Sequence, residues 1–93
     1  MKNLDSLDES LEMTYPRPWR YKIIGEDEEK IRAAAHEVFA AQKEDTAYNI
    51  DYSHQSKGGK YVSLNVETIV LDEPHRLAIF DAFKQHADIK FIM

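Results

Sequence analysis

Two sets of residues in this chain are of types that could do chemistry. The first is Lys57-Gly58-Gly59-Lys60. Adjacent glycines let successive backbone N–H groups form a concave nest, and two lysines add positive charge, so the stretch could contact an anion. It is not a phosphate-binding P-loop, because the spacing differs and an alternating pattern rather than a helical one follows. Glycines are also what a tight hairpin turn demands, since its central residues need positive φ. The second set is Arg20, Lys22, Tyr61, Ser63, Asn65 and Glu67, which fall on alternate positions of two predicted strands. Alternate residues share one face of a sheet, so these six are read as one partner surface. Such a face binds RNA where aromatic rings stack on bases. Here Tyr61 is the aromatic predicted to point that way and Glu67 opposes phosphate, so a protein partner or a second copy fits better.

Other reactive types are scattered. His36, His54, His75 and His86 form no His-x-x-x-His pair and no HExxH motif, so local spacing supports no metal site, and surface or capping roles are expected. Asp51 and Asp81 are single carboxylates on polar faces. Glu26-Asp27-Glu28-Glu29 reads as a helix start, where acidic side chains meet the partial positive charge of the helix N-terminus. With no cysteine there is no disulfide, no thiolate ligand and no thiol nucleophile. The sequence therefore offers no catalytic residue, no cofactor motif and no metal motif, and it is read as non-enzymatic.

Ninety-three residues make one small domain. At 43% hydrophobic and 31% charged, the composition is that of a chain with a single packed core. A net charge of −5 argues against generic nucleic-acid binding, which rests on clustered Lys and Arg. No apolar run approaches the roughly 20 residues that span a bilayer, and Met1-Lys2-Asn3-Leu4-Asp5 has no signal-peptide core, so no membrane role and a cytoplasmic location are expected.

These residues must be positioned by a definite order of elements. Residues 1–14 are acidic, with Leu4, Leu7 and Leu11 at helical spacing, and read as a flexible tail ahead of a domain spanning residues 15–93. Tyr15-Pro16-Arg17-Pro18 is an extended lead-in. Trp19, Tyr21 and Ile23 then alternate with Arg20, Lys22 and Ile24 as a first strand ended by Gly25. Asp27 is placed to cap a helix whose apolar stripe is Ile31, Ala34, Ala35, Val38 and Phe39. Tyr48, Ile50 and Tyr52 mark a second strand. After the glycine turn, Val62, Leu64 and Val66 mark a third, with the alternation expected to break at Ile69-Val70-Leu71. Asp72 and Pro74 open a second helix with Ile79, Phe80 and Phe83 buried and Leu77 or Ala82 at the edges. Ile89-Lys90-Phe91-Ile92 is a short last strand.

Strand, helix, strand, strand, helix, strand is the order of a ferredoxin-like plait, an α+β fold. Right-handed crossovers put both helices on one face of a four-stranded antiparallel sheet, with the first and third strands central. Trp19, Tyr21, Ile23, Val62, Leu64 and Val66 should then face the helices, leaving the face of Arg20 and Lys22 open.

The Tyr15-Pro16-x-Pro18-Trp19-x-Tyr21-Lys22-x-Ile24-Gly25 stretch, the Ser56-Lys57-Gly58-Gly59-Lys60-Tyr61-x-Ser63 hairpin and the tail through Ile89 to Met93 resemble the YbeD-like family of small bacterial proteins of unknown function. The resemblance implies a ferredoxin-like fold akin to regulatory ACT domains, and brings no catalytic residue. ACT domains often bind amino acids at a dimer interface through a glycine-containing loop after the first strand. Gly25 stands at that position, followed by Glu26 and Asp27. Three functions are thus open: a regulatory or protein-interaction module, an ACT-like small-metabolite sensor, and a weak RNA-binding module. The first is the expectation adopted.

Overall fold

A computed structural model describes residues 14–55 and 58–93, and of His54 the backbone alone. Among the described residues the elements are β1 (Arg17–Gly25), α1 (Glu28–Ala40), β2 (Tyr48–Gln55), β3 (Val62–Val70), α2 (Glu73–Gln85) and β4 (Phe91–Ile92). The strands form one antiparallel sheet in the order β2-β3-β1-β4. This is the ferredoxin-like α+β plait, with β1 and β3 central.

Local chemistry accounts for where the helices begin. Asp27 caps α1, its carboxylate accepting from the Lys30 N–H at 3.1 Å. Asp72 caps α2 in the same way, accepting from the His75 N–H at 2.8 Å, and Pro74 occupies the first turn, where its missing N–H costs nothing. The α1 stripe Ile31, Ala34, Ala35, Val38 and Phe39 is buried as its spacing demands. It packs on Tyr21 and Ile23 of β1 and on Leu64, Val66 and Val70 of β3, with Ile79 and Phe83 of α2 closing the core. Phe83 lies 5.7 Å from Tyr21 and 6.1 Å from Phe39 between ring centroids, and Phe39 stacks on Tyr48 at 4.2 Å.

Three expectations need correction. The alternation of β3 does not break at Ile69-Val70-Leu71: Val70 is buried while Ile69 and Leu71 are exposed, because pairing with β1 runs on to Arg17 and holds the pleat. The stripe of α2 is His75, Ile79 and Phe83, with Leu77 turned outward and Phe80 only partly buried. The last strand is two residues long, since Ile89 drops into the core before pairing begins. The partners of β4 are nonetheless firm. The Lys90 N–H donates to the Ile24 carbonyl at 2.7 Å, and Lys22 and Met93 exchange both backbone bonds, at 3.1 and 3.0 Å.

Gly25 closes β1 where the layers come nearest. A Cβ there would overlap Ile31 Cγ2 and stand 2.6 Å from the Asp88 carbonyl oxygen. The carbonyl is backbone and cannot swing away, so no larger residue fits. Gly25→Ala should destabilise the fold by about 2 kcal/mol or more, in the range of core overpacking. A thermal midpoint lowered by roughly 8 °C or more in calorimetry checks this, given the size of the domain.

Candidate sheet-face site

The residues predicted to share a face do share one. The register of β1 on β3 sets Arg20 opposite Glu67, Lys22 opposite Asn65 and Ile24 opposite Ser63, all on the side away from the helices. Arg20 and Glu67 form an ion pair at 3.6 Å. Both side chains are well exposed, so the pair adds little to stability. Ser63 departs from expectation: at 4% exposure it is buried. Its small side chain forms part of the floor of a groove whose other lining residues include Lys22, Ile24, Tyr61, Phe91 and Met93.

That groove changes the character of the face. Sequence reading made it polar. At the β4 end it is apolar, because Ile24↔Phe91 pairing brings Phe91 round beside Ile24 and Tyr61. Phe91 is 54% exposed and Met93 68%. Tyr61 and Phe91 meet edge to face, with centroids 5.8 Å apart and planes at 75°. The Lys60 ammonium lies 5.3 Å from the Tyr61 ring centroid, a cation–π arrangement. The cavity measures about 300 Å³. Phe91 was missed for want of register. The signal present was Ile24, the one apolar residue on the otherwise basic set of β1.

The glycine turn is a turn. Gly58 and Gly59 have φ of 89° and 76°, the left-handed region that a hairpin of this kind uses. Lys60 is turned toward Tyr61. Lys57 lies outside the described residues, and with it the four-residue anion contact as a whole.

Three histidines hold structural contacts. His36 Nδ1 and the Tyr48 hydroxyl are 2.6 Å apart, and His86 Nε2 lies 2.8 Å from Glu37 Oε1. His75 is not a surface residue: it is buried, and its Nδ1 accepts from the Leu71 N–H at 3.0 Å just ahead of α2. Among the described residues, no group of three or more His, Cys, Asp or Glu is disposed to hold a metal. No described helix is long and apolar enough to cross a membrane.

A second cluster, on the helix side at the opposite end of β1, escaped sequence reading. The Arg76 guanidinium lies 4.8 Å from the Trp19 ring centroid and that of Arg17 5.6 Å. Arg76 Nε–H donates to the Tyr15 hydroxyl at 3.2 Å, and the Tyr21 hydroxyl donates to the Arg76 carbonyl at 2.8 Å. Burial pushes the Tyr21 hydroxyl well above the ordinary phenol range, against the opposing pull of Arg76, so it stays protonated and keeps donating.

The fold and these two clusters define a small α+β plait with an open sheet face. The chain belongs to the family described as protein of unknown function DUF493, whose model matches residues 10–93; this is the YbeD-like family that the Tyr15-to-Gly25 and hairpin motifs resemble. It is 33% identical over 93 residues to the uncharacterized protein Cj0253 of Campylobacter jejuni subsp. jejuni, covering 100% of both chains. Two solution structures of the Helicobacter pylori protein HP0495 have the same fold at 23% identity. One has a TM-score of 0.76, covering 88% of this chain and 86% of the other; the second, described as a hypothetical protein, has a TM-score of 0.58, covering 85% and 87%.

Gly59→Ala forces a Cβ into a left-handed position and should cost about 1–2 kcal/mol. Urea unfolding checks it: the midpoint should fall with the slope unchanged.

Proposed function

We propose that this protein is a non-enzymatic interaction module that docks a protein partner, or a second copy of itself, on the open face of its sheet. The observation that carries the reading is the apolar groove of Ile24, Tyr61, Phe91 and Met93, set into a face otherwise lined by Arg20, Lys22, Asn65 and Glu67. An apolar centre within a polar rim is the usual anatomy of a protein–protein interface. Exposed apolar side chains gathered in one place mark such surfaces more reliably than scattered ones. Among the described histidines, His36 joins α1 to Tyr48 and His86 joins the end of α2 to Glu37.

Protein rather than RNA is favoured by the geometry of the rings. Stacked bases need open aromatic faces. Here Phe91 meets Tyr61 edge to face, and Lys60 already lies over the Tyr61 ring.

Phe91→Glu tests the reading. It places a charge at the centre of the groove on a residue already 54% exposed, so the fold should be kept. Light scattering across a concentration series and affinity capture from the native host, each with wild type and variant, are the measurements. Association is expected in the wild type and at least about tenfold weaker in the variant, as for loss of a central interface aromatic. A wild type that stays monomeric and captures nothing, or an association that ignores Phe91→Glu, would contradict it.

A further inference from the structure

We propose that Arg17 and Arg76, gathered around Trp19, form a binding site for a small oxyanion, a phosphate or carboxylate group. The site is distinct from the open sheet face and stands or falls apart from it.

Four observations carry it. Two guanidinium groups from distant parts of the chain lie by one indole, at 5.6 and 4.8 Å from its centroid. Arg17 Nε is buried and has no hydrogen-bond partner in the protein. A buried donor left unsatisfied is destabilising, and an acceptor seated against it removes that cost. No carboxylate of the described residues pairs with Arg17, and the only one on Arg76 is Glu73, at a long 3.4 Å. Arg76 is held in place by Tyr15 through its Nε, by Glu73 through its Nη2 and by its contact with the indole, so its position is set before any ligand arrives.

The chemistry of the ligand follows from the donors. A guanidinium presents paired N–H groups in a plane that matches the two oxygens of a carboxylate or phosphate. A protein of net charge −5 repels anions at long range, so the site would select for a ligand that two arginines can grip at short range. Arg17 is the ligand-facing member. Arg76 also holds Tyr15 and Trp19, so its replacement would disturb the fold as well.

Trp19 is the sole tryptophan, so its fluorescence reports on this site alone. The full chain is titrated with sodium phosphate, and separately with sodium citrate, against sodium chloride at matched ionic strength. A saturable change in Trp19 emission, with a rise in thermal midpoint over the same concentrations, is expected for at least one oxyanion. Whichever saturates names the group. Arg17→Gln should weaken that response at least about tenfold, as befits loss of a charge-assisted fork. In chloride alone the thermal midpoint of Arg17→Gln should stay close to that of the wild type, because the variant loses the ring contact with Trp19 together with the unsatisfied Nε–H. Responses to phosphate and citrate no different from chloride would overturn the proposal. So would an Arg17→Gln variant that binds as well as the wild type, or one that is destabilised in chloride with no oxyanion response in either protein, which would make Arg17 a cover for Trp19.

Discussion

The approach of the segment around Asp88 to the end of β1 is the contact on which most of this structure depends. The Asp88 carbonyl and Ile31 occupy the space that a side chain at position 25 would need. Because Gly25 leaves that space open, α1 lies close to the sheet and the chain leaving α2 can fold down beside β1. Ile89 then enters the core, Lys90 bonds the Ile24 carbonyl, and Met93 exchanges bonds with Lys22. That sequence of contacts places Phe91 next to Ile24 and Tyr61. One missing methyl group thus sets both the packing of the helix layer and the apolar groove on the opposite side of the sheet.

The two faces of the sheet obey different physics. The helix face is sealed, and the polar atoms within it are largely satisfied from nearby backbone. Buried Thr68 donates to the Ala47 carbonyl at 2.7 Å, and Tyr21 to the Arg76 carbonyl. This is what a small domain requires, since each buried polar group without a partner takes back much of what an apolar side chain contributes. The open face carries no helix. Its Arg20–Glu67 pair is exposed and adds little, so selection for stability alone does not explain the apolar cluster beside it. That cluster is the basis of the docking surface proposed above.

Most of the fold was legible in the sequence, and the reason is locality. Asp27 and Asp72 cap helices through N–H groups three residues on, and the stripe from Ile31 to Phe39 follows from helical spacing alone. Period-2 alternation likewise fixed which of Tyr21, Ile23, Leu64 and Val66 face inward. What escaped depends on register between distant segments. Phe91 joins Ile24 across a two-residue strand too short to show a period. Arg76 meets Tyr15 and Trp19 across about sixty residues, and its helical neighbours give no hint of it. For His75 a surface or capping role is expected; it is buried, one turn before Ile79 on the stripe, and makes a capping contact by accepting from the Leu71 N–H at the start of α2. Ser63 was read as exposed by alternation, which reports the side of the sheet but not what neighbours cover.

The open face, and not the helix layer, is the surface proposed to meet a partner. Hydroxyl-radical footprinting tests it most directly, because Tyr, Phe and Met side chains are all reactive and all line the groove. The full chain would be compared alone at low concentration and in its associated form. Tyr61, Phe91 and Met93 should become protected while Leu77, exposed on α2, should not. Protection of Leu77 with Phe91 and Met93 left as reactive as before would contradict it.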